Sequence, residues 1–252
     1  MHKSTHPDTT HFGFKTIPWD EKEHKVRDVF KSVANKYDLM NDLMSLSLHR
    51  FWKKYTIALS HIRPGQVVLD LAGGSGDLTY LMSKRVGAQG AVVMVDINAA
   101  MLDLGRNKLL DLGVVKNVQF IQADAQNLPL PSDYFNCITI GFGLRNITDK
   151  NAALQSMYRV CRPGGEVIIL EFSTPNIPWL KTWYDWYSFN FLPKLGNIVT
   201  HDAASYTYLV ESIRMHPNQE NLKQLIENAG FEDCKYYNLT GGIVTVHHAY
   251  KY

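Results

Sequence analysis

Ten residues, Val67-Val68-Leu69-Asp70-Leu71-Ala72-Gly73-Gly74-Ser75-Gly76, do most to narrow what this chain can fold into. A β-branched and leucine run reads as a buried strand, and it ends in a glycine-rich turn ahead of a helical pattern. Gly74 and Gly76 flank Ser75 as a G-x-G turn, where the missing Cβ lets the backbone bend sharply and a ligand lie against it. Farther along, at the end of a second apolar run (Ala91-Val92-Val93-Met94-Val95), stands Asp96. A carboxylate there suits both hydroxyls of a ribose as charge-assisted hydrogen bonds. Strand, turn, helix and distant acid together predict a nucleoside site on a parallel sheet.

The turn also discriminates among nucleoside ligands. A dinucleotide fingerprint, G-x-G-x-x-G, would place a third glycine where this chain has Thr79, and a P-loop would need G-K-[ST] where Gly76 is followed by Asp77. An acid at the start of the helix suits its positive end but would repel a phosphate. A ligand with ribose and adenine but no phosphate fits better, and S-adenosylmethionine is such a ligand. Asp70, before the turn, is placed to orient loop amides or a water toward the amino-acid end of that cofactor.

The chain has 252 residues, 45% hydrophobic and 20% charged, ordinary values for a globular protein that buries one sizeable core. A net charge of +2 gives no field arguing for nucleic acid. Cys137, Cys161 and Cys234 lie far apart and read as buried thiols of a cytosolic protein rather than a disulfide frame or zinc site. No metal is expected: there is no H-E-x-x-H, and adjacent His247 and His248 in a strand point to opposite faces. The first ten residues lack an apolar h-region, so no secretion signal is expected, and no window approaches the roughly 20 apolar residues of a membrane span.

After the polar start, helices are predicted over 20–36 and 49–60 with a polar, methionine-bearing loop or broken helix between them. Strands at 66–71, 91–96, 118–123, 134–140 and 165–172 alternate with helices at 76–85, 99–112 and 149–161, which means a parallel sheet wrapped by helices. Asn98 is a plausible N-cap for the second of these, whose Met101, Gly105, Leu109 and Leu112 share a face. Arg162-Pro163-Gly164-Gly165 reads as a helix stop followed by a turn. A helix at 219–229 and strands at 231–239 and 242–251, joined through Thr240-Gly241-Gly242, close the chain with one antiparallel strand. The expected fold is α/β and Rossmann-like, a mostly parallel seven-stranded sheet in one domain. Its parts are a helical N-terminal cap (1–62), a cofactor-binding core (63–173), a lid or substrate insertion (174–218) and a C-terminal helix and hairpin (219–252). In the insertion, Trp179, Trp183, Trp186, Tyr187 and Phe191 form an aromatic stripe if helical. It suits a cap packed on the core, the wall of a hydrophobic pocket, or a face on a membrane.

These residues resemble the ubiquinone/menaquinone biosynthesis C-methyltransferases, a family of class I S-adenosylmethionine-dependent enzymes. The likeness runs from Thr9-Thr10-His11-Phe12-Gly13-Phe14 to Tyr250-Lys251-Tyr252. It is densest at Tyr37-Asp38-x-Met40-Asn41-x-x-Met44-Ser45-x-x-x-His49-x-x-Trp52, at Arg159-Val160-x-x-Pro163-Gly164-Gly165 running to Glu171-Phe172-Ser173, at Asp70 to Asp77, at Phe142-Gly143-Leu144-Arg145-Asn146, and at Glu211-Ser212-Ile213-Arg214. The resemblance implies methyl transfer from S-adenosylmethionine to a ring carbon of polyprenylated quinols: a demethylmenaquinol and, where ubiquinone is made, a methoxy-benzoquinol. Cofactor contacts of the family map onto Ser75, Asp96, Asp124, Ala125 and position 141. There the family often has serine and this chain has Gly141, which leaves only a backbone contact.

Such chemistry needs a group to stabilise a developing phenolate, and Arg145, just past the fourth core strand, is the leading candidate, acting with a water and Asn146. The competing reading is a helix-end ion pair with Asp149. His49, Asp38, Asp202 or a water would serve as proton acceptor. Tyr37, Asp38 and Asn41 suit either the site or the cap, and no role is assigned to His201. Expected partners are the quinol, the inner face of the membrane from the cytoplasm, and other quinone-biosynthesis enzymes, with a homodimer compatible and no nucleic acid. The rival readings are an O- or N-methyltransferase for another hydrophobic metabolite, a nicotinamide-dependent reductase, and a non-catalytic cofactor-binding scaffold or lipid-quinone carrier.

Overall fold

The computed structural model describes residues 6–33, 37–114, 116–191 and 203–252. Its centre is a seven-stranded sheet of β3 (Val67–Leu71), β4 (Ala91–Asp96), β5 (Val118–Gln122), β6 (Phe135–Gly141), β7 (Cys161–Phe172), β8 (Glu232–Leu239) and β9 (Val244–Lys251), in spatial order β5-β4-β3-β6-β7-β9-β8. β3 to β7 run parallel, and β9 is antiparallel to both neighbours, β7 and β8.

Both faces of this sheet are covered, so the inner strands are apolar almost continuously rather than alternating. One face carries Val68, Val92, Cys137, Ile168 and Val246 against Trp52 and Ile57 of α3 (Leu48–Leu59), Leu78 and Met82 of α4 (Asp77–Val86), and Leu209 and Ile213 of α8 (Ala203–Arg214). The other carries Leu69, Val93, Ile138 and Ile169 against Leu154 and Met157 of α6 (Lys150–Val160) and Leu222 and Ile226 of α9 (Gln219–Asn228). α5 (Ala99–Asp111) is capped by Asn98, whose side chain accepts from the Ala100 amide. Met101, Gly105 and Leu109 are buried as the pattern predicts, whereas Leu112 ends the helix exposed. The three cysteines are buried and unpaired.

Three local features depart from expectation. The polar start contains a hairpin, β1 (Thr9–Phe12) and β2 (Lys15–Pro18), whose Phe12 stacks on Tyr208 of α8 at 4.2 Å. Strands of four residues are too short for an alternation to stand out. The methionine-bearing segment after α1 (Glu21–Val33) is a helix, α2 (Tyr37–Ser45). Arg162-Pro163-Gly164-Gly165 lies within β7 as a bulge rather than a free turn: Cys161 pairs with Phe135, and the next partners are Glu166 and Cys137.

The aromatic stripe splits. α7 (Pro178–Trp186) continues into a turn over Tyr187–Phe191; Tyr184 and Tyr187 face the core, while Trp179, Trp183, Trp186 and Phe189 are exposed. The Phe191 side chain, with His201 and Asp202, lies outside the described residues. Among the described residues no helix is long and apolar enough to cross a membrane.

Candidate active site

The order of the sheet reverses between β3 and β6, and the crevice outside their carboxyl ends is where ligands bind in open α/β sheets. A cleft of about 810 Å³, its open mouth included, occupies that position. Its floor is Ala72 and Gly74 after β3, Asp96 at the end of β4, Asp124 and Ala125 after β5, and Gly141 and Phe142 at the end of β6; Val26, Arg27 and Phe30 of α1 close it from above. Ala72 and Phe142 have φ of 52° and 57°. Left-handed backbone at non-glycine residues costs on the order of 1 kcal/mol or more, and such strain gathers at functional sites.

The glycine turn is held from two sides. Asp96 accepts the Gly74 amide on Oδ2 at 3.0 Å and the Asn98 amide on Oδ1 at 2.9 Å, leaving each oxygen a further lone pair for a ligand hydroxyl. Burial pushes the Asp96 carboxyl up to about 6, with the Asn98 and Gly74 amides opposing. A Cβ on Gly105 of α5 would stand 2.6 Å from Met94 Cε and 2.9 Å from the Gly74 carbonyl oxygen. The close-approach glycine that a dinucleotide fold has three residues past the turn therefore sits on the following helix. Thr79, at that third position, instead donates to Asp70 Oδ2 at 2.6 Å, while Thr139 donates to Oδ1 at 3.0 Å. Asp70 ties β3 to α4 and β6, and burial pushes its carboxyl up to about 6 against the threonine hydrogen bonds.

Ser75 does not border the main cleft. It lines an adjoining recess with Lys53, Asp70, Asp77 and Leu78, and the two spaces share Ala72, Gly74 and Gly141. A Cβ at Gly141 would meet Leu78 Cδ1 at 2.7 Å, so the leucine occupies the room a serine side chain would need. The charge argument from the sequence needs correction here. Asp77 accepts from Lys53 and Lys108, each at 2.7 Å, and these two lysines outweigh burial and hold its carboxyl well below the usual range. Asp77 is thus neutralised and does not by itself repel a phosphate, and Lys53 brings a cation to the lining of the recess.

A second, narrower hollow, of about 330 Å³ with its opening included, adjoins the first. Val29 and Phe30 of α1, Met40 and Asn41 of α2, Arg145 and Asn146 in the turn after β6, and Ser205, Tyr208 and Leu209 of α8 line it; Phe30 and Asn146 border both spaces. The Arg145 guanidinium is paired with Glu171 at 2.7 Å, not with Asp149, which instead caps α6 through the Ala152 amide. The amides of Arg145 and Phe172 also donate to Glu171, and Arg145 Nη1 donates to the Phe142 carbonyl. Arg145 Nε–H is buried with no partner among the described residues, a spare donor at the edge of an apolar cavity. Tyr208 donates to Asn146 Oδ1 at 3.0 Å, and burial raises its phenol well above the ordinary value despite nearby Arg145.

Among the proton-acceptor candidates, His49 donates to Asp42 at 2.9 Å and borders neither cavity. The Asp38 and Tyr37 side chains and Asp202 lie outside the described residues. Tyr208, Lys53 and the α1 residues over the cleft had no distinguishing local pattern; Glu171, an acid inside a buried strand, was the one visible signal.

The model of the ubiE/COQ5 methyltransferase family matches residues 19–251. The chain belongs to that family. A Legionella pneumophila (strain Paris) protein named ubiquinone/menaquinone biosynthesis C-methyltransferase UbiE is 66% identical over 244 residues, 97% of this chain and 98% of that relative. A Coxiella burnetii (strain RSA 493 / Nine Mile phase I) protein of the same name is 60% identical over the same shares. In three dimensions the chain is similar to an S-adenosylmethionine-dependent methyltransferase from Aquifex aeolicus, with a TM-score of 0.62 at 19% identity, covering 84% of this chain and 96% of that one, a likeness of fold. This member of the ubiE/COQ5 family is thus an S-adenosylmethionine-dependent C-methyltransferase on a Rossmann-like frame. The donor set suits that cofactor: a buried acid with spare acceptor capacity for a ribose, and a lysine beside the glycine turn for a carboxylate.

Proposed function

We propose that the protein methylates a ring carbon of polyprenylated quinols: demethylmenaquinol to menaquinol and, where ubiquinone is made, 2-methoxy-6-polyprenyl-1,4-benzoquinol to its methylated form. The observation that carries this reading is the shared wall of the two cavities. A nucleoside cleft meets an apolar chamber at Phe30 and Asn146, and Arg145 stands on the chamber side.

Gly74 and Ser75 shape the loop around the donor, Asp96 takes the ribose hydroxyls, Asp124 and Ala125 flank the adenine, and Gly141 offers backbone only. Asp124 is preset for this by Gln126, whose amide and side chain donate to it at 2.9–3.1 Å. When bound, S-adenosylmethionine supplies an electrophilic methyl on a sulfonium. The protein must make the ring carbon nucleophilic, and a quinol hydroxyl with a phenol-like pKa of about 10 does so only as it loses its proton. Arg145 stays charged, so it acts by stabilising the phenolate oxygen that develops, and its pairing with Glu171 fixes the guanidinium beforehand. Asn146, oriented by Tyr208, holds the ring or a proton-accepting water. Van der Waals walls from Met40, Phe30 and Leu209 exclude solvent and hold carbon and methyl in line.

The 1–62, 63–173, 174–218 and 219–252 segments act as cap, core, insertion and closing hairpin of one domain. The exposed Trp179, Trp183, Trp186 and Phe189 rest on the inner face of the membrane, where amphipathic rings suit the headgroup level and where a polyprenylated substrate resides. Incubation with demethylmenaquinol, S-adenosylmethionine and a reductant, followed by mass spectrometry and NMR of the quinone fraction, tests the reaction. One added methyl on a ring carbon is expected. A methyl on oxygen would favour an O-methyltransferase, and no transfer would remove the substrate class.

A further inference from the structure

At the opposite end of the sheet from the cleft, three side chains from three elements converge. His61, in the connector after α3, Glu166, in β7, and His248, in β9, bring one ligand atom each to within 4.8 Å of one another. His248 Nε2 lies 2.7 Å and His61 Nδ1 2.9 Å from the same carboxylate oxygen, Glu166 Oε2. The other oxygen, Oε1, accepts the His61 backbone amide at 2.8 Å, which fixes the carboxylate plane. We infer that these three residues form a binding site for a divalent transition-metal ion of the zinc class, outside the catalytic centre.

Topology makes the set coherent. Glu166 pairs with Tyr250 across β7 and β9, so His248, two residues back on the same face, is its diagonal neighbour. That face is the one α3 covers, and the chain leaving α3 drops His61 onto it. Two imidazoles and one carboxylate are a common donor set for zinc, with a fourth position left for water or another small ligand. The side chain of His61 is 63% exposed and those of Glu166 and His248 about 5%, so the site has a rigid buried side and one open door. Tetrahedral bonds of about 2.0–2.1 Å put ligand atoms roughly 3.3 Å apart, so the two contacts to Glu166 open by about half an ångström, while the two imidazole nitrogens, within 4.8 Å of each other, close by up to about 1.5 Å. Each ring need only present a lone pair where it now presents an N–H, carrying its proton on the other nitrogen.

No sequence motif announces this set, because its members are far apart in the chain; the expectation of no metal considered only contiguous spacings and the pair His247-His248. Those neighbours do diverge, His247 donating to the Gln219 carbonyl at 2.8 Å. Glu166 lies at the middle of β7 and Glu171 near its carboxyl end, about 17 Å apart at the usual rise per residue. An ion held here clasps β7, β9 and the α3 connector and does not touch the reacting atoms.

The test uses the full-length chain, stripped with chelator and titrated with Zn2+ by calorimetry and with Co2+ by visible absorption. One equivalent is expected, with the intense bands of a four-coordinate Co2+ site, bleaching on Zn2+ addition and no heat with Mg2+. Saturating Zn2+ raises the melting temperature by about 5 °C at a hundredfold excess over Kd. His61→Ala, a change at an exposed position, weakens Zn2+ binding more than tenfold while S-adenosylmethionine affinity stays as in the parent, which certifies the fold. His248→Gln removes the Co2+ bands. Absence of saturable binding, or binding unchanged in both variants, overturns the assignment. Methyl transfer that stops on chelation and returns with Zn2+ would overturn its placement outside the catalytic centre.

Discussion

The nucleoside cleft and the Arg145 cavity share a wall, yet they are built in opposite ways. The floor of the cleft is made from strand ends: four consecutive β–α junctions each deliver three or more residues, a seven-stranded sheet fixes the spacing, and α1 only closes the top. The cavity is made from helices distant in sequence, α1, α2 and α8, around a single turn after β6. Rigid scaffolding serves the invariant half of the reaction, the donor, while the surface that must admit a long apolar substrate is assembled from elements that can be repacked. If that division is real, the two halves can be damaged separately.

The sharpest break is Arg145→Ala. Turnover is expected to fall by about 10²–10³, the usual cost of removing a donor to a developing oxyanion, with S-adenosylmethionine affinity within about twofold of the parent. Equal loss of both, by calorimetry and methyl-transfer assay, would mean the cavities are not separable. Glu171→Gln would leave the guanidinium buried and unpaired, so its melting temperature is a companion reading of how far the pair is preset.

Asp96→Ala is the mirror experiment. Losing two charge-assisted hydrogen bonds to a ribose, along with the anchor of the Gly74 amide, should weaken cofactor binding by about 10² or more. Tyr208→Phe sharpens the acceptor side: it frees Asn146 and should lower turnover up to about tenfold without moving cofactor affinity.

Acid should act on the donor side. The Asp96 carboxyl, raised to about 6, must be ionised to accept two hydroxyls, so cofactor affinity is expected to fall up to tenfold per pH unit below about 6. Stability without cofactor runs the other way. Asp96 and Asp70 hold protons more tightly folded than unfolded, so their contribution is full below about pH 4 and is lost as pH rises to 6. Thermal melts at pH 4.5 and 6.5 with and without S-adenosylmethionine read both slopes. The smallest effect concerns the outer rim: Trp179→Ala combined with Trp183→Ala should reduce binding to anionic lipid vesicles several-fold and leave turnover of a short-chain soluble quinol unchanged.

The same contrast decided what could be read from the residues. Strand–turn–helix order, the G-x-G turn, Asp96 and the Asn98 cap are local, and each carries a periodicity or spacing that survives without coordinates. Arg145 stood out by its position after a strand, but its partner did not: Glu171 lies in a neighbouring strand, and nearby Asp149 was the natural guess. The meaning of Asp77 depended on Lys53 and Lys108, which only folding brings together. Tyr208 and Met40 are ordinary members of amphipathic helices, and their facing a common void is a tertiary fact. The hairpin at 9–18 was missed because its strands are shorter than any period they could display.

A crystal structure with S-adenosylhomocysteine and a short-chain demethylmenaquinol tests the division of labour most directly. The ribose should lie on Asp96, and the ring should stand in the chamber between Met40 and Tyr208 with a hydroxyl oxygen toward Arg145. A ring bound elsewhere, or a nucleoside away from Asp96, would contradict the arrangement on which the proposed reaction rests.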